Sequence, residues 1–132
     1  MHPRNRKLFL IAMAIVEVVT GLCLIFLPAV ALTGLLGVEN PAVEAIFVGR
    51  LAGAALLAIG VASWLARTDT LTPAQFGLLT GLLIYNAAAA ILIASAGVVL
   101  KMSGAALWPA AVLHAILTVW CISCLRQDRI AN

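Results

Sequence analysis

Val48-Gly49-Arg50-Leu51-Ala52-Gly53-Ala54-Ala55-Leu56-Leu57-Ala58-Ile59-Gly60-Val61-Ala62-Ser63-Trp64-Leu65-Ala66-Arg67 is the stretch that decides how this chain folds. As a helix rising about 1.5 Å per residue it covers roughly 30 Å, the thickness of a bilayer's hydrocarbon core. Glycine stands at positions 49, 53 and 60, and a guanidinium, Arg50, sits inside the apolar run. In lipid that charge costs roughly 2.5–3.5 kcal/mol on insertion scales and calls for a partner. The rest of the sequence can be read as a search for what faces Arg50.

The composition says that the run is not a soluble core helix. Of 132 residues 64% are hydrophobic and only 10% are charged, less than half the charged share of about 25% in soluble domains. Mean hydropathy is +1.16. This is the composition of an integral membrane protein, and the length suits one domain, residues 1–132. The net charge of +3 does not signal a nucleic-acid partner, because the basic residues gather at the ends of apolar segments, where they report topology.

Four such segments follow one another, expected as helices over about 8–33, 43–66, 73–99 and 105–126. Their length, the lack of alternation and the need of a lipid-embedded backbone to bond to itself all favour helices over strands. Pro28 marks a kink or stop, after which Ala29 to Val38 stays apolar and either extends the first helix or folds back along the outer surface. Asn40 with Pro41 reads as a cap and first-turn proline for the second helix, and Thr72 with Pro73 for the third. The basic start, the apolar run and Ala29-Val30-Ala31 resemble a secretory leader. Glu17 interrupts that run, so the expectation is a retained first helix.

Short connections make sequential neighbours antiparallel, so the expected fold is an all-α, up-down bundle of four transmembrane helices. Arg4, Arg6, Lys7, Arg67, Arg126 and Arg129 fall on one side, and Lys101 on the other with Glu39 and Glu44. The positive-inside rule then puts both termini in the cytoplasm. Trp64 and Trp120 lie toward that interface and Trp108 toward the outer one.

Each span carries one strongly polar residue: Glu17, Arg50, Asn86 and His114. Measured from the basic ends at about 1.5 Å per residue, they lie roughly 13, 24, 20 and 17 Å deep. Arg50 either reaches inward to pair with Glu17, with Asn86, His114 and the bordering Tyr85 completing a polar ligand-binding centre, or it anchors the outer end of its helix. A structural alternative is a charge pair and interhelical hydrogen bonds that only set helix register, at about 0.6 kcal/mol per bond.

Gly49-x-x-x-Gly53 and Gly77-x-x-x-Gly81 have the spacing that brings membrane helices together, either within the bundle or between copies in a homo-oligomer. Cys121-Ile-Ser-Cys124 shares its spacing with the redox pair of the vitamin K epoxide reductases. Here the pair falls on the reducing side and lacks a shuttle pair, so Cys23, Cys121 and Cys124 read as small apolar filler. No metal-binding spacing, phosphate-cradling loop or catalytic triad pattern occurs, and an enzyme is the least supported class.

The string Gly49 to Gly60, the Tyr85-Asn86 step and the Trp108-Pro109…His114 run together resemble the small DoxX-like four-helix membrane proteins. The resemblance implies a four-helix bundle in a bacterial inner membrane. Some of that group are associated with quinone-linked sulfur oxidation, but no residue here matches a catalytic motif, so that activity is not carried over. Three functions follow: binding of a lipid, quinone or other apolar ligand at the polar centre, with membrane lipid as surroundings; a proton-linked transporter or channel subunit using Glu17 and His114; and an accessory subunit acting through helix packing.

Overall fold

A computed structural model of the chain describes residues 2–70 and 72–130, with side chains described from residue 4 to 126. Arg129, one of the basic residues counted above, has its side chain outside the described residues. The described chain is all helical: α1 His2–Phe26, α2 Pro28–Leu36, α3 Val43–Ala66, α4 Pro73–Val98 and α5 Leu107–Ile130. Four of these, all but α2, are long and apolar enough to cross a membrane. Large apolar side chains such as Phe26, Phe47, Leu65, Ile91 and Val119 point outward, as expected where the surrounding medium is lipid rather than water.

The first span does not continue to residue 33. Leu27 leaves helical geometry (φ −128°, ψ 50°), and Pro28, which has no N–H to donate, starts a separate helix. That helix ends at Gly37, whose φ of +76° directs its N–H back to the Thr33 carbonyl at 2.8 Å, a position suited to glycine. The α2 segment packs against α1, α3 and α5. Its Gly34 carbonyl accepts a bond from the Ala106 N–H at 2.8 Å, ahead of α5.

Two other element ends refine the reading. Ala42, not Asn40, is the N-cap of α3, and no side chain caps it, so Pro41 lies outside the helix. Thr72 does cap α4, its hydroxyl accepting the Gln75 N–H at 3.2 Å. At the other end of α4, Lys101 adopts φ +57° and lets the Met102 N–H bond back to the Ala96 carbonyl at 3.0 Å, a closure normally given to glycine.

Two tight pairs build the fold, α1 against α3 and α4 against α5, with α1 also meeting α5. Glycine explains the first pair. Gly53 and Gly21 meet backbone to backbone, and Gly60 lies against Val18 and Ala14. Gly49 and Gly53 are buried in this contact, so of the two glycine pairs this one serves packing within the chain. Gly77 and Gly81 face open space. The pairs are joined by a core in which Phe9, Leu10 and Met13 of α1 meet Leu79 and Leu82 of α4 and Leu117, Cys121 and Cys124 of α5. Cys121 donates from Sγ to the Leu79 carbonyl at 3.3 Å, which fits its reading as core filler.

Candidate intramembrane binding site

The helix faces decide which polar residues meet. On α1, Leu10, Met13 and Glu17 recur at a three-to-four residue spacing. On α4, Gln75, Leu79, Leu82 and Asn86 do the same, and on α5 Leu107, Ala111, His114, Leu117 and Cys121. Residues so spaced share one helix face, and all of these are buried. Glu17, Asn86 and His114 are therefore carried inward by the faces that form the core, at 1%, 0% and 8% exposure.

Their contacts make one connected centre. Tyr85 donates its hydroxyl to Glu17 Oε2 at 3.0 Å. The Tyr85 ring stands edge-on to His114, with centroids 5.6 Å apart and planes at 90°. His114 Nδ1 lies 2.9 Å from Asn86 Oδ1. Asn86 Nδ2 donates to the Leu82 carbonyl at 2.8 Å and to Met13 Sδ at 3.4 Å. That anchorage turns Oδ1 toward the imidazole. An amide oxygen only accepts, so Nδ1 carries the proton, and in the neutral ring Nε2 is left as an acceptor.

One atom in this centre is unsatisfied. Glu17 Oε1 is buried and has no hydrogen-bond partner among the described residues. A buried polar atom left in this way costs about 1–3 kcal/mol, and more if charged. The open valences of the centre, Glu17 Oε1 and His114 Nε2, are both of the accepting kind when the carboxyl is ionised and the ring neutral. They suit a guest that donates.

Arg50 does not take part. It is exposed, and among the described residues Glu17 takes its only hydrogen bond from Tyr85. The expected Arg50–Glu17 pair is thus corrected. The reason is rotational: Gly49, Gly53, Gly60 and Ser63 are the buried face of α3, and the next residue along a helix points about 100° away. Close packing of the glycine stripe on α1 fixes that face and swings Arg50 to the side. The inward-reaching arrangement of Arg50 is therefore not the one observed. The centre belongs to Glu17, Asn86 and His114, with Tyr85 joined to it.

The sequence reading passed over Gln75, which is 3% exposed. Its Nε2 donates to the Ala66 carbonyl at 2.8 Å and to the Asp69 carbonyl at 3.4 Å, tying the start of α4 to the end of α3. The register it shares with Leu79, Leu82 and Asn86 was the available signal. Gln75 lies eleven residues, or about 16 Å, from Asn86 along the helix, so it belongs to the end of the bundle and not to the centre. No family profile, curated protein or solved structure matches the chain.

Proposed function

We propose that this chain is an integral membrane protein that binds a small apolar molecule through the Glu17–Tyr85–Asn86–His114 centre. The carrying observation is Glu17 Oε1, buried without a partner among the described residues beside a Tyr85 hydroxyl already committed to the other carboxylate oxygen. Sites of this kind are largely apolar with a few convergent polar groups that fix one end of the guest. The accepting character of the open atoms favours a hydroxyl-bearing head, such as that of a quinol or a hydroxylated lipid. With both termini cytoplasmic, as the basic residues suggest, the centre lies near the middle of the bilayer. An up-down bundle in a bacterial inner membrane and membership of the DoxX-like group complete the reading, on the strength of the Gly49–Gly60, Tyr85-Asn86 and Trp108…His114 strings.

The test is native mass spectrometry of the full chain after extraction in mild detergent. Wild type is expected to retain a small apolar adduct that Glu17→Leu and Tyr85→Phe lose. An adduct-free wild type, or an adduct indifferent to both substitutions, would overturn the proposal.

A proton-linked reading is favoured by one feature. Glu17 and His114, both titratable, flank Tyr85, bonded to the first and edge-on to the second. It requires flux driven by a pH gradient in liposomes, and that flux should vanish in Glu17→Gln. Packing as an accessory subunit, or as a homo-oligomer, would now fall to the open Gly77 and Gly81 face rather than to Gly49 and Gly53.

A further inference from the structure

The basic end of α1 presents a different chemistry. Arg4, Arg6 and Lys7 of α1 meet Arg67, Thr68 and Asp69 after α3 around one surface cup. Among the described residues, Arg4, Lys7 and Arg67 there meet one carboxylate, that of Asp69. The Asp69 segment is held in place through its backbone carbonyl, which accepts from Arg6 Nη2 at 3.4 Å and from Gln75 Nε2 at 3.4 Å.

Directly beside the cup runs a groove lined by Ala14, Ile15, Val18, Val19, Val61 and Trp64, without a polar side chain other than the indole. One stack joins the two. The Arg67 guanidinium lies over the Trp64 ring, 3.8 Å from its centroid, and Arg67 Nη1 donates to the Trp64 carbonyl at 2.5 Å. Trp64 lines the groove and Arg67 lines the cup, so the apolar and the cationic surfaces are continuous. Held on both sides, the guanidinium is oriented before any ligand arrives, which reduces the ordering needed on binding.

The lengths agree with one leaflet. Lys7 and Val19 are twelve residues apart, about 18 Å along a helix, against roughly 15 Å for half of a 30 Å hydrocarbon core. Basic pockets of this kind at membrane-helix ends recognise anionic headgroups. The comparable groove between α4 and α5, formed by Phe76, Thr80, Leu83, Ile122, Leu125 and Arg126, has one cation among the described residues.

We propose that this surface is a binding site for an anionic phospholipid, with the phosphate in the cup of Arg4, Lys7 and Arg67 and an acyl chain in the groove of Ile15, Val19 and Val61. The excess of cations selects against a zwitterionic choline headgroup, whose ammonium they repel. The groove selects a lipid over a free phosphate ion. None of the residues lining the cup or the groove is hydrogen-bonded to Glu17, whose bond comes from Tyr85, so the site stands independently of the polar centre.

The experiment titrates the full-length protein in neutral detergent with phosphatidylglycerol, phosphatidylcholine and inorganic phosphate, reading occupancy by native mass spectrometry. Phosphatidylglycerol is expected to bind at least tenfold more tightly than phosphatidylcholine, and to weaken as salt rises. Lys7→Gln with Arg67→Gln should remove that preference, and Val61→Trp, which fills the groove, should weaken phosphatidylglycerol at least tenfold. Arg4→Gln with Lys7→Gln, at two exposed positions, serves if the first pair disturbs folding. Glu17→Leu should leave the preference intact, which separates this site from the central one. Equal binding of the two lipids would overturn the proposal. So would inorganic phosphate competing as well as the lipid while Val61→Trp changes nothing, because the cup would then hold an anion and not a lipid.

Discussion

Gly21 and Gly53 cross with no side chain between them: a Cβ built on either would stand 2.7 Å from the carbonyl oxygen of the other. This contact fixes how closely α1 approaches α3 and how each is rotated. Gly53→Ala should therefore force the helices apart, at about 1–3 kcal/mol for overpacking. Gly77→Ala is the control, since nothing lies within 4 Å of its new methyl group and helix propensity favours alanine by about 0.5–1 kcal/mol. Thermal unfolding in detergent, followed by circular dichroism, should show opposite shifts for the two. Equal shifts would mean that the close crossing is not what holds the pair.

Why the spans were readable and their faces were not follows from the solvent. Leu51 and Leu79 are alike in sequence, yet one is exposed and the other buried, because lipid accepts both. Only residues that avoid lipid betray the interior, and Glu17, Asn86 and His114 did so. Arg50 did not, since depth counting says nothing about rotation and rotation here is set by the glycine stripe. Tyr85, about 100° from Asn86 on its helix, still reaches the centre because its long side chain carries the hydroxyl to Glu17 while its ring meets His114, the residue that Asn86 also contacts. Pro28 was legible as an interruption. The uniformly apolar residues after it gave no sign that they form a separate helix packed on three others.

Arg50 yields the sharpest contrast between a charge-paired and an unpaired centre. Breaking a buried ion pair leaves an uncompensated charge and costs about 3–5 kcal/mol. Arg50 is exposed and Glu17 takes its hydrogen bond from Tyr85, so Arg50→Leu should show none of that loss in unfolding stability. Adduct retention at the centre should also be unchanged. A loss of several kcal/mol on chemical denaturation would restore the Glu17 pairing.

Lys101 holds a left-handed conformation, φ +57°, to close the end of α4. A side chain in that region costs roughly 1–2 kcal/mol relative to glycine. Lys101→Gly should therefore raise stability by about 1 kcal/mol, visible as a higher midpoint in detergent unfolding. Lys101→Val, which adds branching at Cβ to the same geometry, should lower it. If both variants shift the midpoint in one direction, loss of the lysine charge and not backbone geometry is responsible.

Tyr85 and Glu17 supply the last prediction, because the two partners differ in what they leave behind. Tyr85→Phe removes the only hydrogen bond that Glu17 receives among the described residues, so both carboxylate oxygens become unsatisfied, at about 1–3 kcal/mol. Glu17→Leu with Tyr85→Phe removes acceptor and donor together and should recover most of that loss, since replacing both partners by apolar groups is close to neutral. Interhelical bonds in membranes average about 0.6 kcal/mol and reach about 1.7, and the coupling from a complete double-mutant cycle should fall in that range. A coupling near zero would mean that the Tyr85 hydroxyl finds an equivalent partner elsewhere. In that case Glu17 would be positioned by the packing of Leu10 and Met13 on its own face rather than by α4.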